Sequence, residues 1–413
     1  MHILIIHQAF ASLDEAGGTR HYELARFLVK RGHRVTIIAS PVSYITGQSI
    51  HPKTTWVIKQ NPEEAITILR SYTYAALHRS FFHRILSFFS FMVSSFIVGL
   101  GVKNIDLVWG TSPPIFQGVT AWLLARLKRA PCLFEVRDLW PAFAIEIGVL
   151  RNKLLIGASK WLEKFLYSHA DQVIVNSPGY IEHVRQRGAR HVELIPNGVD
   201  PEMFTPQANG QDIIEKYHLE GKFIALYAGA HGISNDLDVV LETAHILRDQ
   251  VSIVFLLVGD GKEKPGLESK AGLLNLSNLI FLPPVPKNEM EHILAAANVC
   301  IAILKPLDLY KTTYPNKVFD YMAAGKPVIL AIDGVIRQVV EDAHAGIFVQ
   351  PGDANKLADA VKKLNNDPSS VIKMGTAGRD YVKKHFNRIE LADKLNALLV
   401  DTQAKNGRKN INR

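Results

Sequence analysis

Short apolar runs alternate with segments of helical period along nearly the whole chain, and after a break near residue 200 the alternation starts again. This rhythm predicts strands at His2–His7, Arg34–Ser40, Asp106–Gly110, Cys132–Val136, Gln172–Asn176 and His191–Ile195. Helices are expected between them at Thr19–Arg31, Ile115–Lys128, Leu150–Ser168 and Pro178–Arg187. In the second half, strands are expected at Phe223–Ala228, Ile253–Val258, Leu279–Leu282, Val299–Ile303, Val328–Leu330 and Gly346–Val349. Helices there are expected at Asp236–Asp249, Glu289–Ala297 and Ala354–Asn365. Strands that are apolar throughout and separated by helices pack as parallel sheets covered on both faces. The fold class is therefore α/β, with two doubly wound Rossmann-like domains. Residues 1–198 form the first domain and 199–388 the second, joined by a linker near 198–212. A last helix from Ile389 leads into a basic tail ending at residue 413, and such a helix often packs back on the first domain.

Ligands of open parallel sheets sit beyond the carboxyl ends of the strands, and two such domains face to face would enclose a cleft. Glycines gather at those strand ends: Gly17-Gly18-Thr19 early in the first half, Gly229-Ala-His231-Gly232 and Gly259-Asp-Gly261 in the second. Glycine lets backbone approach an anion closely, and the next helix offers unpaired N–H groups. None of the three matches the dinucleotide pattern Gly-x-Gly-x-x-Gly, and tight turns without ligands use the same residues.

The stretch from Tyr314 to Val328 carries the densest signal. Tyr-Pro-Asn316 leads into a short helix, Lys317 to Ala324, stopped by Gly325. Lys317 and Asp320 are three residues apart, so they share a helix face. A cation and a carboxylate there suit a phosphate and a sugar diol. Arg137 and Asp138 follow directly after an apolar strand, in Glu135-Val-Arg-Asp-Leu-Trp-Pro141. Arg137 suits a phosphate, since its planar fork matches one; Asp138 suits a hydroxyl. A plain Arg–Asp pair closing the strand end is the alternative. Asp236-Leu-Asp238 reads as helix capping.

The formal net charge of +8 suggests anionic partners. The basic residues are dispersed among acids, except in the tail from Lys405, so the balance fits lipid or nucleotide phosphate as well as nucleic acid. Cys132 and Cys300 lie in apolar runs and read as reduced core residues of a cytoplasmic protein. The first strand lacks the charge and length of a signal peptide. No paired histidine or cysteine spacing indicates a metal, and no Gly-x-Ser-x-Gly elbow or Gly-x4-Gly-Lys phosphate loop occurs. The segment between Arg79 and Lys103 is uncharged from Ile85 to Val102 and rich in phenylalanine. Its serines and glycines, and the need to keep the sheet together, favour a helix that is part core and part membrane surface over a span. Phe88, Phe89 and Phe91 are expected at lipid, with Arg79, His83 and Arg84 at headgroups. A fully buried core helix is the alternative.

Taken together, Gly17-Gly18, Gly32-His-Arg-Val35, Glu135-Val-Arg-Asp-Leu-Trp-Pro141, Ile195-Pro-Asn-Gly-Val-Asp200, Val258-Gly-Asp-Gly261 and Asp320-Tyr-Met-Ala-Ala-Gly-Lys-Pro-Val328 resemble a family 4 glycosyltransferase of the GT-B fold over nearly the whole chain. The Arg-Asp-Leu-Trp-Pro run and the aromatic segment before it are most similar to transferases of bacterial surface polysaccharides, such as the N-acetyl-L-fucosamine transferase of O-antigen assembly and the colanic acid enzymes.

The resemblance implies a retaining, metal-independent transfer with no bound cofactor. The donor would be a nucleoside-diphosphate sugar, UDP-linked, held by the second domain, and the product lipopolysaccharide or a related glycan. Asp320 would hold the ribose in place of the family's second glutamate. Thr312 falls where the first glutamate stands, so the sugar contact is reorganised, as for a deoxy or acetamido sugar. The Arg and Lys that the family carries after the first strand of the second domain are missing. Lys317 is the expected replacement, with Lys305, His231 and Arg137 behind it. Backbone at Gly17, Gly18, Gly229, Gly259 and Asn316 would complete the cradle. The expected acceptor is an undecaprenyl-diphosphate-linked sugar at the inner face of the cytoplasmic membrane, where the protein would sit peripherally; nucleic acid is not an expected partner. A UDP-sugar epimerase of the same fold and a non-catalytic nucleotide-sugar-binding subunit are the alternatives.

Overall fold

A computed structural model describes residues 1–50, 55–75, 80–205 and 208–411. Arg79, residues 206–207 of the expected linker and the last two residues of the tail lie outside them. The chain forms two compact units. The first comprises Met1–Leu13, Gly17–Pro196 and Ile389–Arg413, the second Asp14–Ala16 and Asn197–Arg388.

The strands of the first unit are β1 (His2–His7), β2 (Arg34–Ala39), β3 (Val57–Glu63), β4 (Ile66–Ser71), β5 (Leu107–Ser112), β6 (Cys132–Val136), β7 (Gln172–Val175) and β8 (Val192–Leu194). Their order is β3-β4-β2-β1-β5-β6-β7-β8. All neighbours run parallel except β3, which turns back antiparallel on β4. The sequence reading expected a purely parallel sheet and no strands between residues 57 and 71. The sequence of β3, Val-Ile-Lys-Gln-Asn-Pro-Glu, lacks a sustained apolar run, and Pro62 fits only an edge strand that need not donate at that position.

The second unit holds β9 (Phe223–Ala228), β10 (Ile253–Val258), β11 (Leu279–Leu282), β12 (Val299–Ile303), β13 (Val328–Ala331) and β14 (Gly346–Phe348), all parallel, in the order β11-β10-β9-β12-β13-β14. Every residue of β9, β10 and β12 is buried, so these sequences are apolar throughout rather than alternating. In each sheet the strand order reverses once, between β1 and β5 and between β9 and β12. Crevices at such reversals are where open α/β sheets take ligands.

The last helix, Arg388–Ile411, takes in most of the expected basic tail. It buries Ala392, Leu395 and Leu399 in the same core as Ile3, Ile5 and Trp109 of the first unit. Asn396 Oδ1 lies 2.6 Å from His33 Nε2, and Lys394 donates to the Leu194 carbonyl at 2.9 Å.

The phenylalanine-rich segment forms the helix Phe81–Gly101, capped by Ser80. Among the described residues it is the one helix long and apolar enough to cross a membrane. Its inner face nevertheless covers the sheet. Phe91 is fully buried with Leu4, Ile6, Ile38 and Val108, and the Ser94 hydroxyl donates to the Tyr72 carbonyl at 2.6 Å. The expectation that Phe88, Phe89 and Phe91 share one lipid-facing surface is therefore wrong. At 3.6 residues per turn, Phe91 falls on the core face; Phe88 is half-buried against Phe116, and of the three only Phe89 is exposed. Cys132 and Cys300 are free and buried.

Candidate functional site

In the first unit, the loops at the sheet reversal are braced by buried charge. Glu135 is the one carboxylate within β6, and it is fully buried. Its carboxylate accepts from Arg20 Nε at 3.0 Å and lies 2.5 Å from His21 Nε2. Burial alone would push the Glu135 carboxyl up, but His21 and Arg20 outweigh it and hold the group well below the usual carboxylate range. The other two nitrogens of Arg20 donate to the carbonyls of Pro196 and Ile195 at 2.9 and 2.8 Å. One guanidinium thus ties the start of the first helix to β6 and to the chain beyond β8. His7, at the end of β1, packs against His21 with ring centroids 4.2 Å apart and the rings tilted by 52°. Burial, then the neighbouring cations, holds His7 well below its ordinary value, so it is neutral at neutral pH.

Two residues past Glu135, Arg137 donates from Nε to the Ser112 carbonyl at 3.0 Å, joining the ends of β6 and β5. Asp138 follows at once, with Oδ1 buried and without a hydrogen-bond partner among the described residues. Burial pushes its carboxyl up to about 6, against the opposing pull of Arg137 and the Trp140 backbone N–H. A buried carboxylate with an unused oxygen is a ready acceptor for a substrate hydroxyl. Gly17 and Gly18 belong to the same unit. A Cβ on Gly17 would lie 2.9 Å from Ala11 Cβ, whereas Gly18 faces open space.

In the second unit the reversal is built from glycine. The helix Asn316–Ala323 is pinned beneath β9 by Tyr321, whose hydroxyl accepts from the Ala228 N–H at 2.9 Å and donates to the Ala228 carbonyl at 3.1 Å. Lys317 lies one turn earlier and so faces the end of β9. Its ammonium sits 3.9 Å from the Tyr227 ring centroid and 3.5 Å from Asn235 Oδ1. Desolvation pulls it down to about 7. Gly229, at φ +151°, leaves the room it occupies, since a Cβ there would lie 2.8 Å from Lys317 Nζ. Gly259, at φ +145°, packs against Gly229 so closely that a Cβ would strike the Gly229 carbonyl at 1.9 Å. His231 is fully buried beside these turns, with neither ring nitrogen hydrogen-bonded among the described residues, and burial lowers it to about 4. Lys305, just beyond β12, donates its backbone N–H to the Ser234 carbonyl at 3.0 Å.

Lys317 and Asp320 share a helix but meet different partners. Asp320 Oδ2 is held by Lys287 Nζ at 2.6 Å and by Asn316 Nδ2 at 3.5 Å. Lys287 was not singled out from sequence; it opens the single 3-10 turn Lys287–Glu289 after β11, with no pattern around it. The Thr312 hydroxyl turns to the Leu309 carbonyl at 2.6 Å. Asp236 does not cap its helix as expected: it is left-handed at φ +47° and its side chain makes no capping bond. The unit thus brings Gly229, His231, Gly259, Lys305, Asn316, Lys317 and Asp320 to one end of its sheet, and adds Tyr227, Asn235 and Lys287. Among the described residues, no group of three or more His, Cys, Asp or Glu side chains is arranged to hold a metal ion.

Comparison with known proteins meets this geometry from outside. The profile described as "Glycosyl transferase 4-like domain" matches residues 16–198, and that described as "Glycosyl transferases group 1" matches 222–367. A relative named as a colanic acid biosynthesis glycosyltransferase of Escherichia coli K12 is 24% identical, covering 89% of this chain and 91% of its own. An E. coli galactosyltransferase, named for UDP-galactose as donor and an N-acetylglucosaminyl-diphosphoundecaprenol acceptor, is 23% identical over 69% of this chain and 73% of its own. An Anabaena protein solved with UDP and glucose superposes with a TM-score of 0.72 at 14% identity, over 97% of this chain and 100% of its own.

Proposed function

Because the chain belongs to the family 4 glycosyltransferases of the GT-B fold and is itself a glycosyltransferase, we propose that it transfers a sugar from a UDP-sugar to a lipid-linked glycan, with retention of anomeric configuration and without a metal. The observation that carries this reading is Lys317. Its ammonium is desolvated, has no carboxylate partner among the described residues, and stands at the glycine-walled end of β9. A diphosphate is the ligand such a group lacks. The helix N-terminus at Asn316 and the turns at Gly229 and Gly259 complete its cradle. Asp320, oriented by Lys287, holds the ribose hydroxyls. Lys305 and His231 flank the phosphates, and Thr312 lies toward the sugar.

Transfer proceeds on the front face. The acceptor oxygen bonds to the anomeric carbon on the side from which the diphosphate leaves, the carbon–oxygen bond to the β-phosphate breaks, and the acceptor proton passes to a β-phosphate oxygen. Charge grows on the leaving diphosphate, so a preorganised cation there lowers the barrier directly. Asp138 orients hydroxyls through its unused oxygen, and Arg137 fixes the loop that presents it. The UDP-bound structural neighbour and the relative acting on an undecaprenol-linked sugar support the donor and acceptor classes. An acceptor of this kind assigns the enzyme to the inner face of the cytoplasmic membrane, in surface-polysaccharide assembly.

The test is incubation with candidate UDP-sugars and a polyprenyl-diphosphate-linked sugar. The expected result is UDP release only when acceptor is present, unchanged by EDTA, with the donor's anomeric configuration kept in the product. UDP release without sugar on the lipid, or an inverted linkage, overturns the reading.

A further inference from the structure

Three adjacent helices cover one face of the first sheet: Phe81–Gly101, Phe116–Lys128 and Lys153–His169. The middle helix joins the other two. The Thr120 hydroxyl donates to the Met92 carbonyl at 2.9 Å, and Trp122 packs on Phe165 with centroids 4.9 Å apart. Their inner faces are core. Their outer faces are not what a water-exposed surface uses. On the first helix, Phe82, Leu86, Phe89, Val93, Ile97 and Leu100 fall at helical spacing and are each between 40 and 67% exposed. Leu127 is 61% exposed on the second helix, and Leu154 and Trp161 are 84 and 65% exposed on the third. Single exposed apolar residues are ordinary, but a ridge shared by three neighbouring helices is not.

The exposed charge on the three helices has one sign. The three helices together hold a single carboxylate, Glu163, and it is fully buried against His183 and Arg187. Lys103, Arg126, Arg129, Lys153, Lys160 and Lys164 border the ridge and are exposed. At one end, Arg126 and Arg129 join Arg190 in lining a hollow of about 550 Å³, which Asp171 also lines. From the ridge, an aromatic path leads to the loop that holds Asp138: Phe89 meets Phe116 at 5.1 Å, and Phe116 meets Trp140 at 5.7 Å.

We propose that this three-helix face docks flat on an anionic lipid bilayer, its apolar ridge sunk to the acyl boundary and its lysines and arginines at the headgroups. Apolar area and cationic charge together are what an interfacial surface needs. The first helix lies in the interface rather than spanning it, because Phe91, Ser94 and Ser95 belong to the sheet's core. A second copy of this chain is a poor partner, since the exposed charges of the three helices are all lysines and arginines and two such faces repel. The proposal rests on the lipid-linked acceptor reading only for its purpose, which is to bring such an acceptor to the Asp138 loop.

Co-sedimentation of the full chain with phosphatidylcholine vesicles, with and without phosphatidylglycerol, tests it. Binding is expected with phosphatidylglycerol alone and is weakened by salt. The double variant Val93→Glu/Ile97→Glu is expected to lose roughly tenfold or more in vesicle affinity with an unchanged circular dichroism melt, and each of Lys153→Gln, Lys160→Gln and Lys164→Gln roughly fivefold at low salt. Ile372→Glu, on a still more exposed apolar residue of the second unit, is expected to change nothing. Trp161→Phe is expected to reduce quenching of tryptophan emission by brominated lipid. Full vesicle affinity in the folded double variant, equal binding to phosphatidylcholine, or a dimer that the double variant breaks while vesicles stay unbound each overturns it. UDP binding in solution reads the donor site alone, so its failure would strike the transferase reading and leave this one standing.

Discussion

At the carboxyl end of β1, the first unit packs Arg20, His21 and Glu135 together, with Arg137 close by. At the carboxyl end of β9, the second unit leaves Lys317 with, among the described residues, a ring and an amide for polar company. Both lie where a parallel sheet reverses its strand order. One cluster satisfies its charge internally and so fixes its loops before any ligand arrives. The other keeps a charge unsatisfied and keeps space beside it, so that a ligand completes it. The contrast separates a scaffold from a receptor within one architecture.

The sharpest way to break the contrast is to remove the charge at the centre of the scaffold. Glu135→Ala leaves Arg20 and His21 buried without their partner and is expected to cost about 3–5 kcal/mol of stability, read as a lowered midpoint in urea unfolding. A loss confined to turnover, with stability intact, would make Glu135 a participant in the chemistry instead. Lys317→Met is expected to do the reverse: little change in stability, and a fall in turnover of roughly 10²–10³-fold in the UDP-release assay. Asp320→Ala is expected to weaken UDP binding by about 2–3 kcal/mol by calorimetry, because the ribose contact goes and Lys287 is left unpaired. Unchanged affinity would remove Asp320 from the ribose.

The smallest effect follows pH. The folded value of Lys317, about 7, lies below that of a free lysine. Its contribution to stability is therefore fully present above the ordinary lysine range and is lost as pH falls through 7. An anion reverses the preference by drawing a proton onto the amine. UDP affinity is expected to fall as pH rises above 7, with uptake of about one proton per UDP in calorimetry across buffers of different ionisation enthalpy. Lys317→Met should abolish that uptake.

Which of these features were legible in the sequence follows from how local their causes are. β9, β10 and β12 are apolar from end to end, so their runs announced themselves. The edge strand β3 is half polar and carries Pro62, because among the described residues its outer side pairs with no strand, and it escaped notice. The helix Lys264–Leu273 did too, since its proline and glycines hide the helical period. At the site, Gly229, Lys317 and Asp320 stood in a recognisable turn and helix. Lys287 reaches Asp320 across 33 positions with no local pattern to mark it. Glu135 was visible as an acid in an apolar strand, which is a signal of buried pairing. Its partners, Arg20 and His21, lie more than a hundred residues away, so only the folded chain joins them.

The return of the last helix to the first unit bears on how the protein is made. The ribosome delivers residues 197–388 as one uninterrupted stretch, so the second unit can close while synthesis is still under way. The first unit has all its strands out earlier, yet the surface that receives Ala392, Leu395 and Leu399 stays bare until the final helix emerges. During that interval a growing chain carries an open apolar groove, and the nascent protein is exposed to chaperones and to aggregation even with its second unit already made.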